Sequence, residues 1–376
     1  MTAAIDPIEL ASRLIAVPSV TPASGEVFDV LEEALRPLGF EVHRFTLGKA
    51  PDGPVENLVA TRGSGSPHIG FAGHLDVVPP GEGWTGDAFT PEVRGGLLYG
   101  RGAVDMKGGV AAFAAACSEL AEHKGTISFI ITGDEEGPAT YGTPRIMEWM
   151  AERNIRPDMI LIGEPTSVDR LGDTVKIGRR GTVNMWITVP GAQGHVAYPH
   201  RADNPIPKLA RVIAALDALH LDDGTEGFQP SNLEFTAAGT PTKATNIIPG
   251  SATTQLNIRF NSLHKGEELV ALVRRTVEET APGATVEAKI SGEAFLTPPG
   301  PIFDIVTEAI RAETGVEPEL STSGGTSDGR FLIKLCPVVD FGLPNATMHK
   351  LDEAASVEDI RALTRIYARV LRTALG

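Results

Sequence analysis

The sequence predicts an α/β fold in which a mixed or parallel sheet forms one domain and a smaller α+β domain is inserted into it. Short apolar runs at residues 69–72, 126–132 and 159–162 are typical of buried strands, and they alternate with segments of helical periodicity. The pattern changes near Arg179, beyond which the expected elements follow the order β-α-β-β-α-β. This order is typical of a ferredoxin-like α+β domain. After about residue 292 the first pattern resumes, which indicates that the first domain continues there.

The expected domain boundaries follow from this change of pattern. Residues 1–178 and 293–376 are expected to form the first domain, and residues 179–292 the inserted one. The glycine-bearing stretches 178–181 and 291–292 are the expected hinges, because glycine leaves the backbone free to turn. Helices are expected at 8–16, 26–38, about 110–121, 204–220, 266–280, 301–314 and 357–375. Strands are expected at 40–45, 57–61, 69–72, 126–132, 159–162, 182–189, 232–237, 253–260, 284–290 and 337–341.

Composition and charge narrow the class of ligand. The chain has 376 residues, of which 42% are hydrophobic, and its formal net charge is -15. Nucleic acids and anionic membranes are bound by clustered Lys and Arg, so neither is an expected partner. No run of 18 apolar residues is present, so no membrane span is expected. The excess of carboxylates favours cations as ligands instead.

The two cysteines and the beginning of the chain indicate a compartment. Cys117 lies in an Ala-rich helical run and Cys336 precedes an apolar run, so both are expected to be small buried hydrophobes. A chain without a disulfide framework fits a reducing cytoplasm. Residues 1–14 carry Asp6 and Glu9 and lack the apolar segment of a signal peptide, which favours the same cytoplasmic location.

Side chains that can bind metal follow the predicted strands of the first domain. His74 and Asp76 follow the strand at 69–72, and a metal-binding histidine usually donates its second ring N–H to a carboxylate. The alternative is a core histidine beside a turn aspartate. The acidic run 134–136 follows another strand, where adjacent carboxylates are unfavourable unless a cation neutralises them or the turn is exposed. Glu164 follows a third strand, and ligands of open α/β sheets bind beyond the carboxyl ends of strands.

The glycine-rich segment 100–109 contributes a further carboxylate. Asp105 lies just before a predicted helix, where it is either a metal ligand or an ordinary helix cap. A dinucleotide-binding loop is a weaker interpretation, because Asp105 takes the place of the third glycine and no clear βαβ unit surrounds the segment. Near the end of the first domain, His349 precedes the last predicted helix and completes the set of candidates.

Together these side chains have the chemistry of a catalytic metal site. Imidazole and carboxylate ligands without thiolates suit zinc and related divalent ions. Five protein ligands exceed the three that one catalytic zinc ion uses, whereas two ions about 3.5–4 Å apart can share a bridging carboxylate. Asp105 is the expected bridge, because the nearby glycines allow close approach. The candidate ligands are His74, Asp105, Glu136, Glu164 and His349.

Glu135 is expected to have a separate role. If Glu136 is a ligand, the adjacent Glu135 is free to act as a general base toward water. A metal-polarised carbonyl together with a carboxylate proton shuttle is the arrangement for hydrolysis of an amide.

Four stretches of the chain resemble the dizinc M20 metallopeptidase family. They are Gly-His-Leu-Asp-Val-Val-Pro at 73–79, Gly-Arg-Gly-Ala-Val-Asp-Met-Lys-Gly at 100–108, Gly-Asp-Glu-Glu-Gly at 133–137 and Gly-Glu-Pro-Thr at 163–166. Further stretches resemble the branch of the family that hydrolyses N-succinyl-L,L-diaminopimelate; they lie at 178–181, 194–199, 245–249 and 321–330. The resemblance covers essentially the full chain, including the insert.

The resemblance implies a distribution of the metal ligands. It implies that His74 and Glu164 bind one zinc ion. Glu136 and His349 would bind the other ion, and Asp105 would bridge the two. Two Zn²⁺ ions per chain are therefore expected, with Co²⁺ able to substitute.

The resemblance also implies roles for residues that do not bind metal. Glu135 would be the general acid and base, and Asp76 would orient His74. The inserted domain would pair two subunits in a homodimer. His195 of that domain would reach the site of the partner subunit and donate to the oxyanion, with the insert swinging to close the site. The alternative for His195 is an ordinary loop histidine.

The implied substrate carries several carboxylates and one amide, which arginine side chains would recognise. Arginine binds carboxylates bidentately, and Arg179 and Arg259 are the candidates, with a plain surface position as the alternative for each. Further candidates for substrate contacts are Thr326, Asn345, Tyr198 and Asn246. A sister deacylase such as an acetylornithine deacetylase, or a dipeptidase, would share this metal site. A non-catalytic metal-binding protein is the third interpretation, although Glu135 and all five ligands are present.

Overall fold

The structure is a computed structural model that describes residues 4–376; residues 1–3, the beginning of the segment 1–14 considered above, lie outside the described range. Its helices are α1 (Pro7–Ile15), α2 (Glu26–Leu35), α3 (Lys107–Ser118), α4 (Thr143–Glu152), α5 (Pro205–Asp217), α6 (Gly266–Thr280), α7 (Pro301–Thr314), α8 (Gly329–Leu332) and α9 (Val357–Leu375). Its strands are β1 (Glu41–Leu47), β2 (Val55–Ser64), β3 (His68–His74), β4 (Glu92–Arg94), β5 (Leu97–Tyr99), β6 (Gly125–Thr132), β7 (Met159–Ile162), β8 (Thr174–Lys176), β9 (Gly178–Arg179), β10 (Gly181–Pro190), β11 (Gly194–His195), β12 (Asn232–Gly239), β13 (Ile247–Ile248), β14 (Ser251–Phe260), β15 (Thr285–Gly292), β16 (Phe295–Leu296), β17 (Glu319–Ser321), β18 (Val338–Asp340) and β19 (Ala354–Ser356).

The described chain divides into two compact units. The first unit comprises the described residues up to Ile177 together with Thr297–Ser321 and Ser327–Gly376. The second unit comprises Gly178–Leu296 and the short segment Thr322–Thr326. The role of residues 179–292 as a dimerisation and lid domain stays a prediction.

The first unit is built on an eight-stranded mixed sheet. Its strand order is β1-β2-β6-β3-β7-β18-β8-β17. The neighbours β6, β3, β7 and β18 run parallel to one another, whereas β1 and β2 are antiparallel additions at one side. The predicted α/β class with a mixed sheet is confirmed. Because β6, β3 and β7 are parallel neighbours, the loops that follow them leave from the same edge of the sheet.

Helix α3 is buried along nearly its whole length. Residues Lys107–Cys117 are all buried, as expected for a helix that is apolar all round. Its many alanines let it pack closely between the sheet on one side and α1 and α9 on the other. The helix begins at Lys107 rather than near Val110, because the paired glycines that suggested a loop fit within its first turn. Asp105 therefore lies two residues before the helix.

An aromatic cluster fills the core between α3, α9 and the sheet. The rings of Phe71 and Phe113 stack with centroids 4.2 Å apart, and Phe129 meets Phe113 edge-on at 5.2 Å. Tyr367 also contacts Phe113 edge-on, and its buried hydroxyl donates to the carbonyl of Phe341 at 2.7 Å. This hydrogen bond satisfies the polar end of an otherwise apolar cluster.

The second unit is an antiparallel sheet with two helices. Its strand order is β12-β14-β10-β15, and α5 and α6 pack against the sheet. Side chains of β10 alternate between buried and less buried positions, as expected for a sheet covered on one face. Leu209 and Val212 of α5 and Val273 of α6 pack with Val183 and Ile187 of β10 in one apolar cluster. The order β-α-β-β-α-β thus forms the ferredoxin-like arrangement.

Within the described range, none of the helices combines the length and the apolar character that crossing a membrane requires.

Close contact between α3 and the loop after β7 depends on glycine. A Cβ atom added to Gly109 would lie 2.7 Å from the carbonyl oxygen of Gly163, which precedes Glu164. Backbone atoms cannot move aside as a flexible side chain can, so a larger residue at this position must displace the helix or the loop.

We expect Gly109→Ala to lower the free energy of unfolding by about 1–3 kcal/mol, because it overpacks this contact. Urea-induced unfolding measures the change. Gly86→Ala is the matched control, since a Cβ at Gly86 meets nothing within 4 Å, and its effect should stay below about 0.5 kcal/mol. Equal urea midpoints for Gly109→Ala and the unsubstituted protein would show that the contact has room for a methyl group.

Candidate metal centre

Three of the five candidate ligands lie where parallel strands end. His74 is the last residue of β3, and Glu136 belongs to the turn after β6. Glu164 lies two residues beyond the end of β7. Because these strands are adjacent and parallel, their ends bring the three side chains to one edge of the sheet.

Asp105 lies between two histidines. Its Oδ1 is 3.1 Å from Nε2 of His74, and its Oδ2 is 3.1 Å from Nε2 of His349. The two oxygens of one carboxylate therefore face two different imidazole rings. This is the arrangement that a carboxylate shared by two metal ions requires.

Three glutamates surround the histidines. Oε1 of Glu136 is 2.8 Å from Nε2 of His349, and Oε1 of Glu164 is 3.8 Å from Nε2 of His74. Among the described residues, ligand atoms lie within 4.8 Å of one another in two groups, His74 with Asp105 and Glu136, and His74 with Glu135 and Glu164. Proximity alone therefore does not separate the role of Glu135 from that of Glu136.

Asp76 contacts the ring of His74 through its backbone. Nδ1 of His74 is 2.8 Å from the carbonyl oxygen of Asp76, whereas the carboxylate oxygen Oδ1 is 3.6 Å away. The carboxylate instead accepts the backbone N–H groups of Glu135 at 3.2 Å and Glu136 at 3.0 Å. Both the carbonyl and, at longer range, the carboxylate of Asp76 thus lie beside Nδ1 of His74, and the role of Asp76 in orienting the ring stays a prediction. Asp76 thus joins the end of β3 to the acidic turn.

His349 lies on a tight turn between β18 and β19. Its φ is 60° and that of Asp352 is 52°, in a left-handed region that residues other than glycine rarely adopt. The hydroxyl of Thr347 donates to the carbonyl of Ala354 at 2.9 Å and accepts its N–H at 3.1 Å. Asp352 accepts the N–H and the hydroxyl of Thr85 at 2.9 and 2.7 Å. The turn is held on two sides, and the side chain of His349 is 43% exposed.

Crowding of buried acids shifts the pKa values in the cluster. Burial and the neighbouring charge of Asp105 raise the pKa of Glu164 well above its ordinary value. Burial, together with the charges of Glu136 and Asp105, does the same to the pKa of Glu135. Hydrogen bonds to Asp105 and Glu136 raise the pKa of His349 to about 10. Such shifts arise where desolvated carboxylates lie close together and compete for positive partners.

The donor set fits divalent cations of the zinc type. Two imidazoles and several carboxylates converge, and this set of nitrogen and oxygen donors suits zinc and related ions. The four acids Asp105, Glu135, Glu136 and Glu164 outnumber the two histidines that could balance their charge. A divalent cation would supply the missing positive charge.

Asn345, a candidate for substrate binding, belongs to the first unit. Its side-chain amide donates to the carbonyl of Pro165 at 3.4 Å, beside Glu164 in the chain. Two other candidates, Arg179 and Thr326, belong to the second unit. The guanidinium of Arg179 donates to the carbonyl of Gly325 at 3.1 Å, which brings it next to Thr326 in the chain.

Arg259 has a second arginine as its neighbour. It lies on β14, paired with Thr182 of β10 and Asn232 of β12. The guanidinium of Arg180 donates to the side-chain oxygen of Asn232 at 2.9 Å. Burial and the charge of Arg180 lower the pKa of Arg259. Arg180 was not singled out from the sequence, where its only signal was its position in the doublet with Arg179.

The remaining candidates form an exposed group in the second unit. His195 of β11 pairs with Ile247 of β13, the residue that follows Asn246 in the chain. The side chains of His195, Tyr198 and Asn246 are exposed. The ring centroids of His195 and Tyr198 are 5.9 Å apart. Nδ1 of His195 accepts the backbone N–H of Ala197 at 3.1 Å. A neutral imidazole in this contact carries its proton on Nε2, so the ring has an N–H to donate.

Comparisons with known proteins give the chain its relatives. The profile of peptidase family M20/M25/M40 matches residues 70–373. The succinyl-diaminopimelate desuccinylase of Sphingopyxis alaskensis is 66% identical over 372 residues, covering 99% of each chain. That of Rhizorhabdus wittichii is 63% identical over 372 residues, again covering 99% of each chain.

Solved structures share the fold at much lower identity. A tripeptidase from Staphylococcus aureus superposes with a TM-score of 0.80 at 20% identity, covering 99% of both chains. A Bacillus subtilis protein described as a dinuclear metal binding peptidase from the M20 family gives a TM-score of 0.72 at 18% identity, covering 98% of this chain and 97% of that one. With a profile match over most of its length and full-length relatives above 60% identity, the chain belongs to peptidase family M20/M25/M40.

Proposed function

We propose that this chain hydrolyses the amide bond of N-succinyl-L,L-diaminopimelate, giving succinate and L,L-diaminopimelate. The observation that carries the proposal is the convergence of His74, His349 and the surrounding acids at one edge of the sheet. The full-length similarity to desuccinylases supports the choice of substrate within the family. The reaction belongs to the biosynthesis of diaminopimelate and lysine, and we propose the cytoplasm as its location.

Two zinc ions would be held by the cluster. His74 and Glu164 would bind one ion, and Glu136 and His349 the other. Asp105, whose two oxygens face the two histidines, would be shared. Such ions, when bound, polarise the amide carbonyl and lower the pKa of water. Co²⁺, which accepts similar ligands, is expected to substitute for zinc.

Glu135 would move the proton. Its carboxylate accepts a proton from water while the water oxygen bonds to the amide carbon, and it returns that proton to the amide nitrogen as the C–N bond breaks. Burial raises the pKa of the Glu135 carboxyl, which makes its carboxylate a stronger proton acceptor. The N–H of Glu135 donates to Asp76, and this hydrogen bond would hold the catalytic turn in place.

Arginines would recognise the carboxylates of the substrate. Arg179 and Arg259 are the proposed partners, because a guanidinium binds a carboxylate through two parallel hydrogen bonds. Arg179 is buried and Arg259 is half-buried, and their limited access to water would strengthen such contacts. The remaining proposed substrate contacts are Thr326, Asn345, Tyr198 and Asn246.

The decisive test is hydrolysis of N-succinyl-L,L-diaminopimelate compared with N-acetylornithine. We expect a much higher kcat/KM for the succinyl substrate, loss of activity when a chelator removes the metal, and recovery when zinc is added. Zinc analysis of the same samples should give two ions per chain. Full activity of a rigorously metal-free sample contradicts the mechanism, and equal turnover of both amides favours the sister deacylase.

Arg259→Ala tests the proposed contact between this arginine and a carboxylate of the substrate. It should raise KM for the succinyl substrate by removing a charged hydrogen bond worth about 1.5–3 kcal/mol, whereas zinc content should not change. Arg211→Ala provides a reference for the loss of an exposed arginine elsewhere in the second unit.

Glu135 and Glu136 should respond differently to the same substitution. Glu135→Gln keeps the shape but removes the proton acceptor, so we expect kcat to fall by about 10²–10⁴ with zinc content near two ions. Glu136→Gln should instead lower zinc content, because a neutral amide is a poorer ligand. Parallel zinc analysis and steady-state kinetics measure both. Loss of zinc in Glu135→Gln but not in Glu136→Gln would reverse the two roles.

His195 would act on the site of a partner subunit. We propose a homodimer formed through residues 179–292, in which Nε2–H of His195 donates to the oxyanion of the tetrahedral intermediate. The contact of Nδ1 with the N–H of Ala197 supports this proton position.

We expect His195→Ala to lower kcat strongly while zinc content and dimerisation stay unchanged. Mixing it with Glu135→Gln under conditions of verified subunit exchange should restore part of the activity. One site in each heterodimer would then have both an intact Glu135 and an intact His195. If verified heterodimers stay inactive, His195 acts within its own chain or has no catalytic part.

A further inference from the structure

Glu353 is a fully buried carboxylate whose two oxygens are both occupied by donors. Oε1 accepts the backbone N–H of Val104 at 2.8 Å and that of Asp105 at 3.1 Å. Oε2 accepts the backbone N–H of Gly102 at 3.2 Å and the guanidinium of Arg101 at 2.7 Å. Every one of these donors belongs to the short segment that carries Asp105.

Glu353 itself belongs to the segment that carries His349, four residues before it. Its backbone carbonyl accepts the N–H of Gly100 at 2.9 Å, and the next residue, Ala354, begins the pairing of β19 with β5. Side chain and backbone of one residue thus join two segments that are about 250 positions apart in the chain. These two segments present Asp105 and His349, whose side chains are 3.1 Å apart.

A buried ion pair with Arg101 does not by itself explain this arrangement. The pair needs one oxygen of Glu353, yet the other oxygen is used entirely for two backbone N–H groups. One of those groups belongs to Asp105 itself, so a change at Glu353 acts directly on the backbone of the shared ligand. Several N–H groups bound by one carboxylate fix a loop more closely than a single contact would.

We propose that Glu353 is a positioning residue that sets the distance between Asp105 and His349, and thereby the affinity for the metal ion on the His349 side. The inference rests on the proposed function only in taking these two residues as ligands. The ion on that side depends on both segments that Glu353 joins. The other ion shares Asp105 but keeps His74 and Glu164, which Glu353 does not contact among the described residues.

The experiment measures zinc binding rather than turnover. Metal-free protein is titrated with zinc by calorimetry, and bound zinc is measured after dialysis, for the unsubstituted chain and for Glu353→Gln. A carboxamide offers one oxygen and places an NH₂ group against N–H donors. We expect one of the two sites to lose about 10–100-fold in affinity, as variants of residues that orient metal ligands typically show, and the other site to lose clearly less.

Asp222→Asn is the matched control. Asp222 also accepts backbone N–H groups, from Gly224 at 2.7 Å and Ser231 at 3.2 Å, and it contacts His264 at 2.9 Å. It lies in the second unit, which supplies none of the proposed metal ligands. This variant tests whether loss of an internal carboxylate lowers zinc affinity in general. Both zinc sites of the Asp222→Asn protein should keep the affinities of the unsubstituted protein.

Glu353→Asp decides the matter if the glutamine variant does not fold. It keeps the negative charge beside Arg101 but shortens the reach to the N–H groups, and near-ultraviolet circular dichroism of the metal-free protein checks its fold. Selective weakening of one site in either folded variant supports the inference. Two sites of unchanged affinity, or equal weakening in Asp222→Asn, overturn it while the proposed function stands. An unsubstituted chain that binds fewer than two ions contradicts the proposed metal centre and overturns this inference with it.

Discussion

Negative charge concentrated at the ends of parallel strands is the constraint on which the first unit depends. Four acids and two histidines meet there, all of them buried or partly buried except His349, and buried charges are costly unless they are paired. Asp105 meets this requirement by facing His74 with one oxygen and His349 with the other. The strand order determines which loops lie side by side at this edge. The side chains of those loops give the cluster its chemistry.

Precision at this edge comes from the residues beneath it. Small residues let α3 approach the sheet, so that Gly109 lies against the backbone of Gly163 beside a candidate ligand. Two carboxylates then bind loop backbones: Asp76 holds the acidic turn, and Glu353 holds the segment before α3. Side chains on helices and strands are usually positioned more precisely than side chains on loops. Here the loops are held in position by hydrogen bonds to these two buried carboxylates.

The sequence was sufficient for the fold class and for the candidate ligands, because both leave local signals. Apolar runs followed by acidic or histidine residues identify strand ends, and the five candidate ligands lie at one place in the structure. Short strands such as β8, β17 and β19 were not predicted, since three residues carry no periodicity. Glu353 was also missed, because its role depends on backbone donors about 250 residues away, and its nearness to His349 was the only local signal. The metal and substrate roles of individual residues stay predictions.

The position of β18 has a consequence for how the protein is made. This strand, residues 338–340, lies in the middle of the large sheet, between β7 and β8. A ribosome therefore releases β1 to β3, β6 and β7 long before the strand that connects them to the far edge exists. Long-range pairing of this kind delays completion of a sheet until late in synthesis. His349 follows β18 in the chain. A nascent chain therefore acquires its last candidate ligand only after the strand that completes the middle of the sheet has been synthesised.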